Sequence, residues 1–178
     1  MKIKSTILLT SLIALTSWTT FSQENPEKKS SHYLVIKAIP GVMCKQIETL
    51  SGFAESYELA IVQPIDHRQP DGHKFTQRVF LSIKEPNAPV VFETAGYEVP
   101  WHKRKELSDI LSGNQIIVEH RFYGASSPKP KAWEFLNSWQ AASDHHRIIE
   151  LLKPLFPGKW ISTGKSKGGM ASLFLEYY

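Results

Sequence analysis

Gly164-Lys165-Ser166-Lys167-Gly168 sets a serine between two glycines at a spacing that suits nucleophilic chemistry. A serine hydroxyl is a poor nucleophile unless a base stands beside it and its oxygen is held exposed, and a sharp strand-to-helix turn supplies the exposure. Glycines at 164 and 168 suit that turn, because side chains there would collide with the neighbouring strand and helix. On this geometry the backbone N–H of Lys167 is one donor to a developing oxyanion, assisted by the positive end of the helix that follows. The second donor is expected from the loop after the third strand, at Gly96 or Tyr97. The plainer reading of Ser166 is a helix N-cap, a role serine often fills. A phosphate-binding loop would share the run Gly164-Lys165-Ser166, but it needs a leading glycine where Lys159 stands, and Trp160 and Ile161 would fill the loop.

The elements that must position this turn can be read from periodicity. Tyr57 to Ile65 and Thr76 to Ile83 are rich in β-branched and aromatic residues, and the turn-rich stretch Asp66 to Gly72 lies between them. They predict two antiparallel strands. Pro89 to Thr94, a helix near His102 to Leu111 and a strand from Gln115 to His120 follow the strand-helix-strand pattern of a parallel crossover. Apolar residues from Ser138 to Leu152 recur at helical spacing until Pro154 and Pro157 end the run. Lys159 to Thr163 reads as a buried strand, and Gly169 to Tyr178 as a helix with Met170, Leu173, Phe174 and Tyr177 on one face. The expectation is five core strands, with the elbow at the end of the fifth.

Other polar groups carry weaker signals. His120 is predicted at the carboxyl end of a parallel strand, the sheet edge where ligands bind in such folds. It could face the site, but a strand-end hydrogen-bonded network of Glu119, His120 and Arg121 is the favoured reading. Asp144, His145 and His146 do not predict a metal site, because adjacent helical residues point about 100° apart, and they are read as surface and packing residues. Tyr97, Trp101 and Trp133 are candidate pocket aromatics. Cys44 is the only cysteine, which excludes an intramolecular disulfide and a cysteine-ligated zinc site, and it reads as a small packed apolar residue. No metal or other cofactor is expected.

Lys2 and Lys4, an apolar stretch from Ile7 to Leu15 and small or polar residues up to Ser22 have the layout of a secretory leader. Cleavage after Ser22 would leave 156 of the 178 residues, and the formal charge of +4 would fall to +2 once Lys2 and Lys4 are gone. That balance argues against a nucleic-acid surface, and no segment of the mature chain is long enough to span a membrane as a helix. The mature protein is therefore expected in the periplasm or outside the cell. Residues 23–55 read as a flexible amino-terminal segment, and 56–178 as the folded unit.

From about Tyr57 onward the sequence resembles the secreted bacterial tripeptidyl aminopeptidases, serine peptidases related to the prolyl-specific carboxypeptidase and dipeptidase group. The marks are Gln63-Pro64-Ile65-Asp66-His67 with Phe75-Thr76-Gln77-Arg78-Val79, then Glu93-Thr94-Ala95-Gly96-Tyr97 and Glu119-His120-Arg121-Phe122-Tyr123-Gly124. Ala142 to Ile148 and Gly158 to Gly164, leading into Ser166-Lys167-Gly168-Gly169, complete the series. The resemblance implies an α/β-hydrolase core with a mostly parallel sheet whose first pair of strands is antiparallel, cut short after the elbow helix. It also implies a Ser-Asp-His triad acting on peptide substrates and releasing short peptides, tripeptides in particular, from free amino termini. Lys165 departs from the smaller or uncharged residue usual there. In this fold the acid and the histidine follow the serine, yet the twelve residues after Ser166 include Glu176 and no histidine. The chain accordingly reads as the amino-terminal part of a longer enzyme. An aminopeptidase needs an acidic group for the substrate ammonium, and Glu93, Glu98 and Glu119 are the candidates. An acyl esterase or lipase on the same fold, or an inactive binding module, are the competing classes. Intact mass of the exported protein is expected to show loss of the first 22 residues, and retention of Met1 would contradict the leader.

Overall fold

The computed structural model of the chain describes residues 30–176, so the expected leader at 1–22 and Tyr177 lie outside the described residues. Six strands form one sheet: β1 (Val42–Gln46), β2 (Glu55–Pro64), β3 (Lys74–Ile83), β4 (Val90–Thr94), β5 (Asn114–Val118) and β6 (Trp160–Gly164). Their spatial order is β1-β2-β3-β5-β4-β6. The pairs β1/β2, β2/β3 and β3/β5 are antiparallel, whereas β4 runs parallel to both β5 and β6. Four strands, β2, β4, β5 and β6, thus point the same way. Helix α2 (Glu106–Ile110) connects β4 to β5, α3 (Ser138–Leu152) connects β5 to β6, and α4 (Lys167–Leu175) follows β6.

The chain leaves β4 toward β5 on one side and returns to β6 on the other, so the order reverses around β4. In open α/β sheets that reversal opens a crevice beyond the carboxyl ends of the strands. Leu59, Ile61, Val79, Leu81, Phe92, Ile116 and Val118 form the main core on one sheet face, where Ile148 and Leu152 of α3 cover them. Phe80, Ile117 and Val99 form a smaller cluster on the opposite face. No helix among the described residues is long and apolar enough to cross a membrane.

Several expectations are corrected. The stretch expected to be flexible contains α1 (Ser31–Lys37) and β1. Ser30 caps α1 by accepting from the Tyr33 N–H at 3.2 Å, and its hydroxyl donates to Glu55 Oε2 at 2.8 Å, which ties the helix to β2. Strand β1 escapes sequence reading because it is short and lies on the sheet edge, with only Val42 of its five residues buried. The helix expected from His102 begins only at Glu106. Gln115 holds the preceding loop by accepting from the Lys105 N–H at 2.8 Å and donating to the Lys103 carbonyl at 3.0 Å. Strand β6, expected to be buried, has Ile161 and Ser162 exposed among the described residues. Helix α4 buries Gly168 and Ala171, while Met170, Leu173 and Phe174 face outward.

Asp144 is not a surface residue. It is fully buried against Arg121, itself fully buried just beyond β5. Arg121 donates to Asp144 Oδ2 at 2.7 Å and Oδ1 at 3.0 Å, and its remaining N–H groups reach the carbonyls of Pro64, Ile65 and Phe135 at 2.8 to 3.1 Å. His67 Nε2 lies 2.7 Å from Asp144 Oδ1. One guanidinium therefore joins the end of β2, the end of β5, helix α3 and the loop before it. Removing one partner of a buried pair leaves an uncompensated charge, which costs roughly 3 kcal/mol or more. Asp144→Asn is expected to lower the unfolding free energy by about that amount in urea titration, with little change in the slope, whereas a loss below about 1 kcal/mol would place the anchor elsewhere.

Candidate active site

The turn that joins β6 to α4 is built by close backbone approach. A methyl group on Gly168 would lie 2.0 Å from the Thr94 carbonyl oxygen, and one on Gly164 would lie 2.6 Å from Thr94 Oγ1 and from the Gly168 carbonyl carbon. Neither glycine has a positive φ, so each is required by contact and not by conformation. Ser166 does have one: its φ is 53° and its ψ −124°, a region that costs a non-glycine residue on the order of 1–3 kcal/mol. It occupies the N-cap position of α4 but makes no side-chain capping hydrogen bond. The capping reading therefore does not account for the serine. Its side chain is exposed, and it borders a cleft of about 370 Å³.

The loop after β4 forms the facing wall. A methyl group on Gly96 would stand 2.9 Å from the Gly168 nitrogen and 3.1 Å from Lys167 Cβ, which puts the loop backbone in contact with the first turn of α4. The Gly168 N–H donates to the Lys165 carbonyl at 3.0 Å, and the turn carries the positive end of the helix dipole. Gly96 and Tyr97 line the cleft together with Ser166. Thr94, to which the sequence assigned no role, donates from Oγ1 to the carbonyls of Thr163 at 3.1 Å and Gly168 at 2.8 Å. A small hydroxyl residue at a strand end, two residues before a glycine, is the only trace it leaves in the sequence.

The three candidate glutamates separate. Glu98 is exposed on the cleft wall, and Glu93 also lines it but is paired with Lys105. Glu119 is not available to a substrate. It is fully buried, paired with Arg78, and accepts from the Val99 N–H at 2.9 Å and from the N–H and hydroxyl of Ser126 at 3.0 and 2.9 Å. The sequence placed Glu119 near a loop end but could not show that its oxygens are already saturated. His120 is also buried, with its Nδ1 2.8 Å from the Arg121 carbonyl, and burial pushes its ring down to about 4. The strand end is thus held by hydrogen bonds of all three residues 119–121, and Glu119 ties it to the next loop at Ser126.

Tyr97 and Trp101 line the cleft, whereas Trp133 stacks on Phe122 at 5.6 Å away from it. The Lys167 ammonium turns to the tyrosines, 4.6 Å from the Tyr123 ring centre and 5.8 Å from that of Tyr97. Cys44 lies on β1, and burial raises its thiol to about 11, which keeps it protonated at neutral pH.

A family model described as PS-10 peptidase S37 matches residues 30–178. The chain belongs to the PS-10 peptidase S37 family. The match begins well before Tyr57 and takes in α1 and β1, which agrees with their being folded. The prolyl tri/tetrapeptidyl aminopeptidase of Streptomyces mobaraensis is 41% identical over 145 residues, which cover 80% of this chain and 30% of that protein. The chain thus spans about 30% of the length of the curated relative it matches. Among solved structures, an acetyl xylan esterase from Paenibacillus sp. R4 superposes with a TM-score of 0.55 at 16% identity, covering 75% of this chain and 48% of the esterase. Acetyl xylan esterase 1 from Thermoanaerobacterium sp. JW/SL YS485 gives 0.53 at 13% identity, covering 76% and 48%. At such identities the likeness concerns fold alone, and it agrees with the α/β-hydrolase order of this S37 chain.

Two buried histidines give the S37 core a pH response. His145 is fully buried, neither ring nitrogen meets a partner among the described residues, and burial pushes it down to about 3. An unfolded histidine takes up its proton near pH 6.5, whereas these rings stay neutral until about 4 and about 3. The unfolded state therefore binds more protons as pH falls, so stability is full above about 6.5 and declines below it. Urea midpoints are expected to drop between pH 6.5 and 5 by the equivalent of roughly 3 kcal/mol, and His145→Leu is expected to flatten that slope.

Proposed function

We propose that Ser166 is the nucleophile of a serine exopeptidase that releases short peptides, tripeptides in particular, from free amino termini. The observation that carries this reading is the strained, uncapped conformation of Ser166 at the mouth of the cleft. Strain of that kind persists only where surrounding contacts over-determine it, and here the strained residue is exposed on the lining of the cleft. Family membership and the identity to a tri/tetrapeptidyl aminopeptidase support peptide substrates.

In this mechanism Ser166 Oγ attacks the scissile carbonyl carbon and gives its proton to a histidine base. The carbonyl oxygen becomes an oxyanion held by the Lys167 N–H and by an N–H of Gly96 or Tyr97. Collapse expels the new amino terminus, which takes the proton, and water then hydrolyses the acyl-enzyme. Glu98 is the group for the substrate ammonium, because it is exposed and unpaired among the described residues, and Glu93 is second because Lys105 already engages it. No histidine follows Ser166 in the 178 residues, and His120 is buried with Nδ1 engaged. The chain expressed alone is accordingly expected to show no appreciable turnover, since loss of a triad costs on the order of 10⁶ in rate.

The test uses the full-length gene product beside this chain. Hydrolysis of a free tripeptide anilide and labelling by an organophosphate are expected in the former and absent after Ser166→Ala, with the fold retained by circular dichroism. Acetylation of the substrate amine is expected to suppress cleavage at least tenfold. Equal cleavage of free and acetylated substrates, or preference for short acyl esters, would overturn the exopeptidase reading, and labelling that survives Ser166→Ala would move the nucleophile.

A further inference from the structure

Lys167 is the first residue of α4, where the positive end of the helix dipole disfavours a cation. No acidic residue stands in that first turn, and the ammonium forms no ion pair among the described residues. Aromatic faces hold it instead. Its Nζ lies 4.6 Å from the Tyr123 ring centre and 5.8 Å from that of Tyr97, and it donates to the Tyr123 hydroxyl at a long 3.4 Å. The two rings meet edge to face at 5.3 Å, and the His120 ring stands 5.7 Å from that of Tyr123. The backbones behind them are tied as well. The Tyr123 N–H donates to the His120 carbonyl and the His120 N–H to the Tyr97 carbonyl, each at 3.2 Å. One ammonium thus gathers the elbow, the loop after β4 and the loop after β5.

We infer that Lys167 is a positioning residue whose ammonium, bridging Tyr97 and Tyr123, holds the two halves of the oxyanion site at their working separation. The inference rests on the serine-peptidase reading above and adds to it a role for a side chain. In that reading the Lys167 N–H is one oxyanion donor and an N–H of Gly96 or Tyr97 is the other. The side chain of the first donor residue therefore lies against the ring beside the second. A methyl group on Gly96 would stand 3.1 Å from Lys167 Cβ, so contact limits how near the loop can come, but contact does not stop it from moving away. An attraction that spans both segments does. An aromatic face supplies it without bringing a negative charge toward a developing oxyanion, as a carboxylate partner would.

The test is steady-state kinetics of the full-length gene product on a free tripeptide anilide. Lys167→Met keeps the stem and removes the charge. Loss of an oxyanion donor costs on the order of 10²–10³ in kcat and displacement costs less, so this variant is expected to lose about tenfold in kcat with KM within about twofold. Lys167→Arg keeps a cation on the rings and is expected to restore most of the rate. Tyr123→Leu is expected to lower kcat likewise, and its combination with Lys167→Met to lose little more than either alone, because both remove the same contact. Should Tyr123→Leu unfold, the two substitutions at Lys167 decide alone. An unchanged kcat in Lys167→Met, a loss carried by KM, no recovery in Lys167→Arg, or fully additive losses would each overturn the positioning role and leave the nucleophile standing. Anilide turnover that is absent from the unsubstituted protein, or undiminished by Ser166→Ala, would overturn the peptidase reading itself, and the positioning role with it.

Discussion

The buried pair of Arg121 and Asp144 is the joint on which the carboxyl edge of the sheet depends. Every N–H of the guanidinium has an acceptor, and these acceptors come from the end of β2, from α3 and from the loop before α3. Net stability is not the main return, since the cost of desolvating two ions offsets much of their attraction. What the pair fixes is position. A planar five-donor fork accepts only one arrangement of its carbonyls, and an apolar replacement would tolerate several. Phe75 and Phe122, 5.3 and 5.9 Å from the guanidinium, cover it on its apolar sides. Glu119, two residues earlier, does the same on the other side of the strand end through Arg78, Val99 and Ser126. The residues after β5 are thus clamped from both sides, and Tyr123 and the His120 ring behind the elbow inherit that fixity.

The second constraint is the contact between the β4 end and the elbow. Any side chain at Gly164 or Gly168 would enter space occupied by Thr94, and the same closeness brings Gly96 against the first turn of α4. Two chain segments about seventy residues apart in sequence are therefore registered to within an atomic radius. Parallel pairing of Thr94 with Gly164 sets the coarse alignment, and the Thr94 hydroxyl sets the fine one through its bonds to Thr163 and Gly168.

Much of this was legible in the sequence because it rests on local pattern. Helix α3 follows the predicted bounds from Ser138 to Leu152, since its apolar spacing and the prolines after it are both local signals. The strands from Tyr57, Thr76, Pro89, Gln115 and Lys159 also lie where alternation and apolar runs place them, within a few residues. What failed was whatever depends on partners far away in the chain. Asp144 reads as a surface acid until Arg121 is seen beside it, and Glu119 reads as available until Arg78 and Ser126 are seen to saturate it. Strand β1 is short, and its run Val42-Met43-Cys44 lacks the alternation of a half-buried strand because only Val42 is buried. The run from Lys159 to Thr163 reads as buried because an apolar run says nothing about how many sides are covered, and the structure leaves Ile161 and Ser162 exposed.

That exposure has a consequence for the elbow. Strand β6 pairs with β4 alone among the described residues, and Met170, Leu173 and Phe174 of α4 face outward. The contacts that hold the elbow come from β4 and its loop, through Thr94 and Gly96, and from Tyr123 against the Lys167 side chain. In the proposed mechanism the alignment of Ser166 with the amides of Lys167, Gly96 and Tyr97 rests on the close approach of the β4 loop to the first turn of α4. Oxyanion stabilisation depends on that relative geometry, because donors must already stand where charge will develop. That alignment is thus set by the contacts of Thr94 and Gly96 with the turn.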